Sequence, residues 1–115
     1  MAFDPGLAQL LHDDLRAEPF TEKKMFGGLC FLSGGHMICG LHKGGTMYRV
    51  GKDSYAAALA LPGVRRLMMG ERPIAAMVDL SLDDSAVGAR RGPVLALALA
   101  TVRALPPKVA KPPKR

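Results

Sequence analysis

The sequence predicts a two-layer α+β domain: a five-stranded antiparallel sheet with helices packed on one face, in the order α-β-β-β-α-β-β-α. Three observations predict it. Short apolar runs between Lys24 and Val50 are separated by glycine pairs, Gly27-Gly28, Gly34-Gly35 and Gly44-Gly45. Glycine reaches the positive φ of tight turns, so this spacing reads as consecutive hairpins. Ahead of them, Leu7, Leu10, Leu11 and Leu15 recur at helical spacing; after them, Val94 to Leu105 is apolar nearly all round.

Asp4-Pro5 opens the first helix, with Asp as N-cap and Pro in the first turn. Pro19 ends it near Ala17, because the residue before proline avoids helical geometry. A three-stranded meander follows over 24–32, 36–42 and 46–50. With a symmetric turn at Ser33 to His36, Leu32 faces Met37, Phe31 faces Ile38 and Cys30 faces Cys39. Alternation then places Cys30, Leu32, Met37 and Cys39 on one side and Leu29, Phe31 and Ile38 on the other. Both sides are apolar, whereas a sheet with one wet face alternates apolar and polar residues. The second face therefore needs cover, and a homodimer across it would supply that cover.

Gly51 turns the chain, and Asp53 or Ser54 caps a second helix whose apolar side is Tyr55, Ala58, Leu59 and Leu61. Pro62-Gly63 stops it. Val64 to Met69 and Ile74 to Leu80 read as the last two strands, joined by a hairpin loop at Gly70-Glu71-Arg72-Pro73. Asp83-Asp84-Ser85 starts the last helical region, which Gly92-Pro93 interrupts as a kink or as a fresh N-terminus. Pro106-Pro107 ends it. The reading is one domain over 1–106 and a polyproline-like basic tail over 107–115.

Hydrophobic residues make up 49% of the chain but aromatics only 5%, so the seven methionines carry much of the apolar volume. The net charge of +6 is uneven: residues 1–102 hold eleven Lys/Arg against ten Asp/Glu, and 103–115 hold five basic side chains and no acid. The basic character thus belongs to the tail rather than to a groove. Two cysteines in an unstapled chain suit a reducing compartment, and no signal peptide is visible, so a cytoplasmic location is the expectation. The apolar stretch from Val94 to Val102 is too short to cross a membrane.

Lys24-Met25-Phe26-Gly27-Gly28, then Leu29-Cys30-Phe31, Gly35-His36-Met37 and Met47-Tyr48-Arg49-Val50-Gly51 form an ordered set of motifs. It continues with Tyr55 and Ala58-Leu59, Gly70-Glu71-Arg72-Pro73-Ile74, Met77-Val78 and Ala104-Leu105-Pro106-Pro107-Lys108. Over residues 7–108 the chain resembles the TfoX N-terminal domain family, small bacterial proteins related to regulators of natural competence. The resemblance implies a two-layer α/β fold like that of secretion chaperones, and a role in transcriptional, competence-related regulation. Relatives usually carry Gly and an aromatic residue where this chain has Ala76 and Met77, and the competence regulators carry a second, helical domain.

Several constellations bear on chemistry. Cys30 and Cys39 facing across a hairpin would suit a thiol redox sensor, although neither a CxxC motif nor a neighbouring cation lowers a thiol pKa. His36 and His42 lie six residues apart, about 20 Å along a strand, too far for one zinc ion. The serines occupy turns and caps, Asp83-Asp84 a helix start, and no glycine pair has a phosphate-loop context. No catalytic residue, metal or cofactor is assigned.

Partner-contact candidates are Met25, Phe26, Gly27, Gly28, Arg49 and Arg72; Glu22 or Glu71 would be the carboxylate beside the strand arginine. Lys108, Lys111, Lys114 and Arg115 are the nucleic-acid candidates, suited to weak, sequence-independent phosphate contact. The leading expectation is a non-enzymatic regulatory or adaptor domain acting by protein–protein contact, with a homodimer expected. The alternatives are a nucleic-acid-associated protein working through its tail and the redox sensor.

Overall fold

Leucine spacing, glycine turns and alternating strands together build two layers in the computed structural model, which describes residues 4–25 and 28–105, with Met25 in backbone only. Helix α1 (Pro5–Asp14) leads into strands β1 (Thr21–Met25), β2 (Gly28–Ser33), β3 (His36–His42) and β4 (Gly45–Arg49). Helix α2 (Tyr55–Leu59), strands β5 (Arg65–Met69) and β6 (Arg72–Ser81), and helices α3 (Leu82–Ser85) and α4 (Gly88–Ala104) complete the order. The strands form one antiparallel sheet, β1-β2-β3-β4-β6-β5.

The sheet has six strands, not five. The expected first strand over 24–32 is instead a hairpin, closed by the Met25–Gly28 pair. Gly28 tolerates no side chain: a Cβ there would meet the Leu41 carbonyl oxygen at 2.0 Å. The extra strand escaped notice because Thr21-Glu22-Lys23-Lys24 is polar. An edge strand pairs on one side only, and lysines there discourage unwanted pairing.

The turn between β2 and β3 is as expected, with Gly34 and Gly35 at φ 59° and 82° and Ser33 opposite His36. The register beyond it is not. Leu32 faces Met37, but Phe31 faces Cys39 and Cys30 faces Gly40. Ile38 is an extra residue, a β-bulge that delivers Ile38 and Cys39 together into the core. Cys30 and Cys39 therefore do not face one another. Both are free, and they lie on opposite sides of the sheet, Cys39 among the helices and Cys30 beneath the bare face.

One face is sealed. Leu7 and Leu11 of α1, Ala58 of α2 and Val94, Leu95, Ala98 and Val102 of α4 pack on Leu29, Phe31, Leu41, Tyr48, Val78 and Leu80. Asp4 caps α1 as anticipated, accepting from the Gly6 and Leu7 amides at 2.7 and 3.4 Å. Arg91 of α4 binds Asp14 of α1 through Nε at 2.8 Å and the Ser85 carbonyl through Nη1 at 3.1 Å. The Ser85 hydroxyl donates to the Leu80 carbonyl at 3.2 Å and accepts from the Thr46 amide at 3.0 Å.

Gly92-Pro93 does not interrupt the last helix; the break falls earlier, between Ser85 and Gly88. Proline removes one amide and crowds the preceding turn. Here both residues are exposed, while Arg91 on one side and Val94 and Leu95 on the other are buried and hold the helix continuous. The tail 106–115, with Lys108, Lys111, Lys114 and Arg115, lies outside the described residues, as do Phe26 and Gly27.

Strand β6 bows away from β5: Arg66 pairs with Val78, then Met68 with Pro73. The bow is made at Ala76, where φ is 67°, and its carbonyl accepts from the Val50 and Gly51 amides at 3.0 and 3.2 Å. A Cβ in that region costs about 1–2 kcal/mol, partly offset in glycine by greater unfolded-chain entropy. Ala76→Gly should therefore stabilise the protein by roughly 0.5–1 kcal/mol, raising the melting temperature by a few degrees. Thermal unfolding of the two proteins checks this, and a lower melting temperature for the glycine variant would contradict it.

Candidate functional site

The face opposite the helices is the open one. A groove of about 1140 Å³ is lined there by residues of β2 to β6 and the β3–β4 turn, among them Met37, Met47, Met68, Met69 and Met77. Five of the seven methionines of the chain thus meet in one place. Alternation accounts for Met47 and Met77, while Met68 and Met69 are consecutive residues of the edge strand β5. Met47 lies opposite Gly40 on one side and Asp79 on the other, and Arg49 lies opposite Met77. Gly40 contributes no side chain, and the Met47 methyl group closes over it. Met68 and Met69 are 47% and 69% exposed, which is unusual for large apolar side chains.

At one end of the groove stands a polar cluster. Arg65 grips Asp79 with two hydrogen bonds, Nε to Oδ1 at 3.0 Å and Nη2 to Oδ2 at 2.9 Å. His42 Nδ1 accepts from the Gly44 amide at 2.9 Å, which leaves the proton on Nε2, 3.4 Å from Asp79 Oδ2. Burial pushes the Asp79 carboxyl up, but the contacts with His42 and Arg65 outweigh it and hold the carboxyl below its ordinary range. Asp79 is thus a charged anchor whose charge is already matched.

The other titratable groups give little chemistry. Cys30 lines the same groove, but burial pushes its thiol up and away from thiolate. Burial does the same more strongly to Cys39, helped by the nearby Asp14 and Cys30. Among the described residues no three His, Cys, Asp or Glu side chains form a group suited to a metal ion.

The sequence candidates divide. Arg49 lies on β4 opposite Met77, on the groove side, and makes no ion pair among the described residues; Glu22 instead contacts His12 of α1. Arg72 is exposed at the start of β6, opposite Met69. Gly28 packs against the Leu41 carbonyl. Met25 is described in backbone only, and Phe26 and Gly27 lie outside the described residues. Sequence reasoning passed over Arg65, Asp79, His42 and the methionines. The available signal was period two: Met47 and Arg49, then Met77 and Asp79, put long or charged side chains on one face of neighbouring strands.

The Asp79 cluster makes a pH prediction. A carboxyl whose folded pKa lies below its unfolded value adds stability that is present above the unfolded pKa and lost as pH falls through the folded one. Asp79→Asn should be less stable than the parent near pH 7, by about 1–3 kcal/mol for lost charged hydrogen bonds. The gap should narrow at pH 3. Urea unfolding at the two pH values measures it; an equal gap at both would show that the charge of Asp79 contributes nothing.

Comparison with known proteins adds the lineage. The sequence family described as the TfoX N-terminal domain matches residues 13–87, from the end of α1 through the whole sheet to α3. No curated protein and no solved structure matches the chain. The groove lies wholly within the matched span. With that span covering well over half of its length, the chain belongs to the TfoX N-terminal domain family.

Proposed function

We propose that this chain is a non-enzymatic regulatory or adaptor domain that acts by protein–protein contact through the open sheet face, in transcriptional regulation of the competence-related kind that its family implies. The observation behind this reading is the methionine-lined groove on the uncovered face. Methionine is unbranched and polarizable, so a cluster of them accepts apolar side chains of many shapes. Soluble proteins seldom leave contiguous apolar surface open without a use. Helices cover the centre of the opposite face, which leaves this one as the surface offered to partners. The histidine and aspartate in the groove lack an activated nucleophile beside them, which favours binding over catalysis.

Affinity capture from the source cell, with and without nuclease, tests the proposal. A captured protein should survive nuclease and be lost with the double variant Met68→Glu, Met69→Glu. That variant should melt within a degree or two of the parent, since both side chains are exposed. Release of all captured material by nuclease would favour the nucleic-acid reading through the basic tail. Retention of the partner by the variant would move the contact elsewhere.

A further inference from the structure

The groove carries a charge pattern as well as an apolar floor. Lys43 lines it, exposed and with no carboxylate partner among the described residues. Arg49 and Arg72, also without ion pairs, stand beside it on β4 and β6. The acid among the lining residues, Asp79, is already engaged by Arg65 and His42. What remains at the margin is cationic and unmatched.

We propose, resting on the reading of this face as a protein-contact surface, that its occupant is an acidic amphipathic helix of a partner protein. Its apolar stripe lies on the methionines, and its carboxylates meet Lys43, Arg49 and Arg72. Dimensions support a helix over an extended strand. The lining residues run over five adjacent strands, from β2 to β5, about 19 Å at the usual strand spacing. A helix with its side chains is about 10–12 Å across and covers more than half of that width, whereas a single strand covers about a quarter. At about 1140 Å³ the groove also exceeds the usual range of enclosed small-molecule pockets, roughly 300–1,000 Å³.

Charge selects among occupants. A second copy meeting this face would set one cationic margin against another, with the matched Asp79 unable to relieve the repulsion. The chain's own residues 106–115 carry four basic side chains and no acid, the wrong sign for this groove. Nucleic acid has the right sign, but its bases stack on aromatic side chains, and the floor here is methionine, leucine and isoleucine.

The test uses the full-length protein and a fluorescein-labelled synthetic helix of about five turns, with leucine at heptad positions a, d and e and glutamate elsewhere. A sequence-matched peptide with lysine for glutamate, and a single-stranded oligonucleotide, are the controls. Fluorescence anisotropy should show saturable binding of the glutamate peptide at least tenfold tighter than of the lysine peptide, weakening as salt rises. Lys43→Glu with Arg72→Glu should weaken it tenfold or more, while Arg16→Glu, an exposed change next to α1, should not.

Equal binding of both peptides would overturn the proposal, as would displacement of the glutamate peptide by the oligonucleotide. Sedimentation showing a dimer that the peptide dissociates would identify a second copy as the resident occupant and overturn it too. No binding of the glutamate peptide, with a nuclease-resistant partner still lost in the Met68→Glu, Met69→Glu variant, would remove this occupant and leave the protein-contact reading standing.

Discussion

A single guanidinium ties the two ends of the domain together. Arg91, in the first half of α4, reaches Asp14 at the end of α1, 77 residues away in sequence, and the carbonyl of Ser85 in α3. Its hydrogen bond to Asp14, against the cost of burial, keeps it firmly charged. Breaking a buried ion pair from one side leaves an uncompensated charge, a loss of about 3–5 kcal/mol in comparable cases. The first, third and fourth helices are therefore committed to the same side of the sheet. Ser85 extends the tie into the sheet itself through Thr46 and Leu80, so that the helix layer and the strands share one buried polar network.

That commitment has a consequence on the other side. With the helices held over Leu41, Tyr48 and Leu80, none is left to cover the face that carries Met47, Met77 and Asp79. The bulge at Ile38 sharpens the division, since it turns Cys39 into the core and leaves Met37 facing the groove. Tethering Asp79 with Arg65 and His42 then places a charge in this apolar floor at little cost, because every charged oxygen has a donor close by. The fold is a sealed layer and an open one, and the open one holds the chemistry.

Much of this was legible in the sequence, and the failures have physical causes. The leucine stripe, the Asp4 cap, the Gly34-Gly35 turn and the strands from His36 onward follow from short-range rules of periodicity and φ, and the structure has them. The β1–β2 hairpin was missed because a polar edge strand gives no hydrophobic signal. Cys30 was set against Cys39 because a bulge leaves no local mark: one inserted residue reverses every side chain beyond it. The notion of an apolar second face was correct, but its composition was not predicted from the cysteines. Its methionines and arginines come from β3, β4, β5 and β6, and only their pairing brings them together. Ala76 is a further case. Its left-handed backbone, at φ 67°, leaves no mark in the sequence, because alanine carries none of the turn preference of glycine or asparagine.

The central claim is that the methionine face is open in the protein as it exists in solution. Methyl NMR of the protein labelled at its methionine methyls, titrated with a small neutral nitroxide, tests it most directly. The account predicts strong relaxation of the Met68 and Met69 methyls, intermediate relaxation of Met37, Met47 and Met77, and concentration-independent values. Protection of all five, comparable to that of a buried leucine methyl such as Leu41, would contradict it, because something would then already cover the groove.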